Sequence, residues 1–158
     1  MRLTRVKVEN HRRLQDLELK VRQHMVLIGP NDVGKSSLLR CLDLLLGAST
    51  GQLYNQITPE DLRESGRPFV VEADLCGFSD TEQALFPDEI TVDPNSEKEQ
   101  TLTIRLEASF DDLETLSITR TVPNKNTGRQ LSREQLQAIG WTLLNANDRA
   151  RSMSNDRR

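Results

Sequence analysis

Apolar positions along the chain change period several times, and each change marks an element. Leu3 to Val8 reads as a strand with Val6 and Val8 on one face. Asn10 to Arg13 is polar and reads as a turn, after which Leu17, Leu19 and Val21 alternate with Glu18 and Lys20 as in a half-buried strand. Met25 to Ile28 is a continuous apolar run, the pattern of a central strand covered on both faces. Residues 35–46 switch to helical spacing, with Leu38, Leu39, Leu42, Leu45 and Leu46 on one face and Gly47 placed to end the helix. Thr58-Pro59-Glu60-Asp61 has an N-cap, a first-turn proline and two acids for the positive end of a short helix.

Three alternating segments follow. Val71, Ala73 and Leu75 oppose Glu72 and Asp74; Leu102, Ile104, Leu106 and Ala108 oppose Thr103, Arg105 and Glu107; Leu116 and Ile118 continue, with Val122 behind them. Alternation implies one wet face, so these strands are expected to pair antiparallel. Residues 87–100 are acidic and polar and read as a surface loop, with Asp88 and Glu89 in a solvated turn. Ser132 and Gln135 have the spacing of a capping box. The chain therefore divides into a core over 1–47, antiparallel strands over 67–123, and a polar tail over 145–158 bearing Arg149, Arg151, Arg157 and Arg158.

Composition narrows the picture. The 158 residues are 35% hydrophobic, 4% aromatic and 28% charged, with a net charge of -3. One domain with an aliphatic core fits these values, and the net charge offers no general attraction for nucleic acid. Cys41 and Cys76 lie far apart, without metal-ligand spacing, and read as buried thiols of a reducing compartment. The start of the chain lacks the apolar stretch of a signal peptide, and no apolar run can span a bilayer, so a cytoplasmic protein with no membrane partner is expected.

The chemistry is concentrated between the apolar run and the helix. Gly29, Gly34, Lys35 and Ser36 meet the pattern G-x-x-x-x-G-K-[ST], with Asn31 inside the loop and Ser37 just beyond it. Glycines let backbone N–H groups curl around an anion, and the helix end adds partial positive charge. Lys35 is expected to reach the β- and γ-phosphates of ATP, and Ser36 to ligate Mg²⁺.

The stretch from RLTRVKVENHRRLQDLELKV to VLIGPNDVGKSSLLRCLDLLLG resembles the N-terminal part of ATP-binding-cassette-type ATPase heads of the SMC and RecF kind, most of all the OLD-family ATP-dependent endonucleases. The resemblance is strong over 1–47 and diffuse beyond. It implies an α/β P-loop fold, a mixed sheet around the P-loop helix with an antiparallel β-subdomain, forming an incomplete domain. It also implies that Arg12, and with it Arg13, contacts phosphates, with His11 in an aromatic place and Ser37 near the α-phosphate. On charge alone, Asn10 to Arg13 is equally a solvated basic turn. The implied partners are the missing C-terminal half of the head, further copies of the parent protein, and DNA.

Rival patterns are weaker. Leu131-Ser-Arg-Glu-Gln135 echoes an ATP-binding-cassette signature loop but lacks its glycines and reads as a helix cap. Asp74-Leu-Cys-Gly77 fits the D-x-x-G of GTPases, but Thr127 stands where guanine selection needs a carboxylate. Trp141 reads as a core or interface anchor. No apolar strand ending in Asp-Glu supplies an acid for water activation, so the catalytic residues are unassigned. A nucleotide-binding assembly module without turnover is the non-enzymatic alternative.

Overall fold

A computed structural model describes residues 1–92, 100–123 and 129–144. Its elements run β1 (Arg2–Glu9), β2 (Leu17–Lys20), α1 (Lys35–Leu46), α2 (Thr50–Gln56), a 3₁₀ turn (Pro59–Asp61), β3 (Phe69–Cys76), α3 (Asp80–Leu85), β4 (Thr91–Val92), β5 (Gln100–Phe110), β6 (Leu116–Val122), β7 (Arg129–Gln130) and α4 (Arg133–Ile139). The strands form one sheet in the order β2-β1-β3-β5-β6-β7, with β4 on β5. Every pairing described is antiparallel.

The α1 helix lies across β3 and β5. Leu38, Cys41, Leu42 and Leu45 meet Val6, Val8, Val71, Ala73, Ile104 and Leu106, all buried in one core. Each such aliphatic side chain contributes on the order of 1.5–3 kcal/mol when fully buried, which holds α1 in place more firmly than helix propensity could. The expected face of α1 needs one adjustment: Leu39 is 38% exposed, while Leu44 is buried. Gly47 ends the helix as expected, but its backbone is right-handed at φ -104. What requires glycine there is contact, since a Cβ would lie 2.8 Å from Cδ1 of Trp141.

The alternation of β3, β5 and β6 is borne out in register, Val71 opposite Leu106 and Ala73 opposite Ile104. The outer face of β3 is drier than alternation suggests. Glu72 is 9% exposed, held by Nη1 of Arg5 at 2.8 Å and by Nη1 of Arg105 at 3.3 Å. Cross-strand charges thus shield one another on the face that α1 does not cover.

Met25 to Ile28 departs from expectation. It belongs to no described strand. Met25 and Leu27 pack toward the core, whereas Val26 and Ile28 are 78% and 91% exposed. A central strand needs ladder neighbours and two covered faces. No described strand runs beside this segment, so its apolar pattern is satisfied on one side only.

Two helices go unsignalled by apolar periodicity, α2 and α3; each opens with a capping box, Ser49 with Gln52 and Ser79 with Glu82. The expected box of Ser132 with Gln135 opens α4, so the LSREQ stretch is a helix cap in the structure. The turn expected at Asp88-Glu89 forms with Asp88 exposed, but Glu89 is a further correction: it is 2% exposed and accepts from Nε2 of Gln135 at 3.1 Å. A carboxylate next to Phe86 at 0% exposure is carried inward because Gln135 solvates it in place of water. Trp141 anchors as expected, its Nε1 donating to Asp43 at 3.0 Å. The arginines of 145–158 and the Asn124–Thr127 stretch lie outside the described residues.

Candidate functional site

The phosphate loop joins Met25–Ile28 to α1. Asp32 at φ 68 and Gly34 at φ 91 are left-handed, which turns successive backbone N–H groups toward one concavity. The end of α1 has no side-chain cap and no acid in its first turn. Its unsatisfied N–H groups and partial positive charge therefore face the concavity uncompensated. Nζ of Lys35 donates to the carbonyl of Gly29 at 2.7 Å and also to that of Pro30, which keeps the ammonium folded over the loop.

The turn after β1 forms the opposite wall, and its backbone is buried. Asn10 is left-handed at φ 56 and 0% exposed. Its side chain donates to the carbonyls of Glu64 and Arg67 at 3.0 and 2.6 Å and accepts from the Glu64 amide at 2.9 Å. Its own amide donates to Asp16 at 2.9 Å. That bond, with the guanidinium groups of Arg63 and Arg67, holds the Asp16 carboxyl down to about 2. His11 packs its ring on Phe69 with centroids 5.6 Å apart, the aromatic role expected of it. Burial lowers the His11 pKa, Asp61 opposes this, and the charges of Arg40 and Arg13 add to it. Nδ1 of His11 accepts the Arg13 amide at 3.1 Å, so the neutral ring carries its proton on Nε2. The solvated-turn alternative therefore holds only for the arginine side chains; Arg12 is 61% exposed.

Between these walls lies a cleft of about 400 Å³ lined by Arg13, Asn31, Asp32, Gly34, Lys35, Ser36 and Ser37. A second cleft of about 790 Å³ shares Arg13, Ser36 and Ser37 with it and adds His11, Arg12, Arg40 and Asp61. Asn31, Gly34, Lys35, Ser36 and Ser37 thus converge, and Gly29 serves the loop through its carbonyl. Arg13 faces the loop directly, whereas Arg12 lines only the adjoining cleft. No sequence motif marks Arg40 as part of this site, and Asp61, expected only as an acid of a short helix turn, lines the adjoining cleft.

The GTPase pattern is not brought to this site. Asp74 pairs with Nη1 of Arg5 at 3.2 Å and accepts from Thr103 at 2.8 Å. Gly77 lies beside Arg2, at the end of β1 remote from the arginine turn. An antiparallel β3 carries its D-x-x-G away from the phosphate loop.

Residues 1–155 match the family described as an AAA ATPase domain. The OLD nuclease of Thermus scotoductus is 36% identical over 90 residues, 57% of this chain, and the chain spans 14% of that relative's length. A chain solved in work on ATP-driven dimerization and DNA-stimulated activation of SMC ATPases has a TM-score of 0.55 at 13% identity, with 96% of this chain and 90% of that one covered. That likeness is one of fold alone, and it agrees with the α/β architecture expected from the sequence. With the phosphate loop formed and the match extending along nearly the whole sequence, this chain belongs to the AAA ATPase domain family, as an ATP-binding segment similar to OLD nucleases.

Proposed function

We propose that this chain is the ATP·Mg²⁺-binding part of an OLD-like nuclease that couples ATP hydrolysis to action on DNA. The observation that carries the reading is the convergence of Lys35, Arg13, Ser36 and the open N-terminus of α1 on one cleft. Two cations, backbone donors and hydroxyls are the donor set a polyphosphate requires. In this reading Asn31 and Gly34 shape the loop, Lys35 and Arg13 hold the phosphates, Ser37 lies toward the α-phosphate, and Arg12 serves the adjoining cleft.

Among the described residues no group of three His, Cys, Asp or Glu could hold a metal ion. A divalent cation at this cleft would accordingly draw on the Ser36 hydroxyl, phosphate oxygens and water, the mixed shell that Mg²⁺ favours. When bound, Mg²⁺ would neutralise charge on the phosphates; the chain's part is to offer the Ser36 oxygen.

DNA cleavage, copies of the parent and the remainder of the ATPase head enter by similarity to the OLD and SMC proteins. No described helix is long and apolar enough to cross a membrane, and a cytoplasmic setting suits the free thiols of Cys41 and Cys76. The reading without turnover draws on the acids of the described clefts: Asp61 is already engaged by Arg40 at 2.7 Å, and Asp32 and Glu60 are exposed.

Calorimetric titration tests the site. Lys35→Ala is expected to weaken ATP·Mg²⁺ binding roughly 10- to 100-fold, the worth of a charge-assisted contact. Ser36→Ala should instead reduce the dependence of binding on Mg²⁺. Unchanged affinity in Lys35→Ala would remove the assignment.

A further inference from the structure

Arg40 projects from α1 toward the segment that backs the arginine turn. Its Nη1 donates to Oδ1 of Asp61 at 2.7 Å and its Nη2 to Oδ2 at 3.2 Å, a two-point grip. Nη2 also donates to the carbonyl of Gln56 at 2.7 Å. Planar guanidinium on carboxylate fixes orientation as well as distance, which a lysine in the same place would not do.

Asp61 passes this grip onward. Its Oδ2 accepts the Thr58 amide at 3.0 Å, closing the 3₁₀ turn. Its carbonyl accepts the Arg12 amide at 2.8 Å, and Arg63 N donates to the carbonyl of Asn10 at 3.1 Å. Between these bonds His11 pairs with Leu62 as a β-bridge. Residues 58–63 are thus bonded to the arginine turn on one side and to the phosphate-loop helix on the other. The contact of Leu14 with Gly34 also ties turn to loop, but it is apolar and non-directional.

We propose that Arg40 is a positioning residue for the phosphate site. Its grip on Asp61 sets where the Arg12–Arg13 turn stands relative to the phosphate loop, and through that the affinity for polyphosphate. The inference rests on the reading of that cleft as the ATP site. The Arg40 side chain is 47% exposed and that of Asp61 13%, so the pair is half-open to solvent and its loss should weigh more on binding than on the melting temperature.

The test titrates the full chain with ATP·Mg²⁺ and, separately, with inorganic tripolyphosphate, following Tm in parallel. Arg40→Ala and Asp61→Asn should each weaken both ligands about tenfold, with Tm little changed. Asp61→Asn keeps an acceptor for the Thr58 amide, so it reports on the grip even where Arg40→Ala folds poorly. In an Arg12→Ala, Arg13→Ala background, Arg40→Ala should cost nothing further, because a strut has no effect once what it positions is gone.

Failure of the wild-type chain to bind, or binding by Lys35→Ala equal to wild type, overturns the ATP-site reading itself. With those controls as expected, three results overturn the role of Arg40. They are unchanged affinity in Arg40→Ala and Asp61→Asn, a full additive loss in the arginine-free background, or a loss confined to ATP with tripolyphosphate unaffected.

Discussion

A Cβ on Gly34 would lie 2.5 Å from Cδ2 of Leu14 and 3.3 Å from the carbonyl oxygen of Arg13. The glycine is therefore needed twice, for its left-handed φ of 91 and for the turn that presses on it. Gly34→Ala is expected to destabilise the fold by about 1–3 kcal/mol and to abolish measurable ATP binding. Adding Leu14→Ala should relieve the clash but not the backbone strain, and it truncates a buried core side chain, so the double variant should lose less than the sum of the two single losses while binding stays weak. Urea denaturation and nucleotide titration of the single and double variants separate the two effects.

Acidification should loosen the arginine turn through His11. Burial holds its pKa below the ordinary 6.5, so the folded state prefers the neutral ring. Stability from this group is complete above the unfolded value and is lost as pH falls through it toward the folded one. Protonating Nδ1 also replaces the acceptor for the Arg13 amide with a donor. Stability should fall as pH drops below the ordinary imidazole value of 6.5, and His11→Phe should flatten that part of the profile. A second loss follows between about pH 4 and 2 as Asp16, depressed from 3.8 to about 2, takes up its proton. Denaturant midpoints across the pH range give both; equal pH dependence in His11→Phe and wild type would remove the first.

The far end of α1 is secured by a buried cation. Nη1 of Arg120 donates to the carbonyls of Leu45 and Ala48 at 3.3 and 2.6 Å, at 8% exposure. It satisfies one of the helix's last acceptors and a carbonyl just past its end, and opposes the negative end of its dipole, at some cost in desolvation. Arg120→Leu should lower stability by roughly 2 kcal/mol while leaving ATP affinity within about twofold, because α1 separates this end from the loop. Loss of binding matching that of Lys35→Ala would contradict this division.

The base preference follows from the place of Asp74. With that acid paired to Arg5 and Thr103 on the remote part of β3, and Thr127 in place of a guanine-reading carboxylate, GTP should hold no advantage. Competition binding that favoured GTP tenfold, about 1.4 kcal/mol, would restore the GTPase reading.

Turnover by residues 1–158 alone should not exceed that of Lys35→Ala, and no DNA should be cut. The acids lining the two clefts are Asp32, Glu60 and Asp61. Asp61 is held by Arg40, the Glu60 side chain is 85% exposed beside Arg12, and Asp32 stands exposed in the left-handed turn of the loop itself. None of the three is arranged to orient an attacking water. A phosphate-release assay decides this, and Lys35-dependent hydrolysis would show a catalytic acid within the chain.

The phosphate loop, the helix that follows it and the alternating strands were determined by local sequence. Left-handed glycine, helical leucine spacing and period-two alternation are short-range instructions, and the helix over residues 35–46 has the bounds they predict, with Leu44 in place of Leu39 on its buried face. The capping serines of α2 and α3 are equally local and were there to be found. What sequence spacing could not decide was what each segment would find beside it. Met25–Ile28 has the composition of a central strand, but pairing requires a neighbour, and Val26 and Ile28 stand exposed without one. Glu72 and Glu89 look like surface acids, yet arginines from adjacent strands and Gln135 from α4 take the place of water around them. Arg13 rather than Arg12 faces the loop because His11 binds the Arg13 amide and folds the turn that way. Arg40 meets Asp61 only because β1, α1 and the 3₁₀ turn come together in space, a contact between residues distant in the chain that no periodicity encodes.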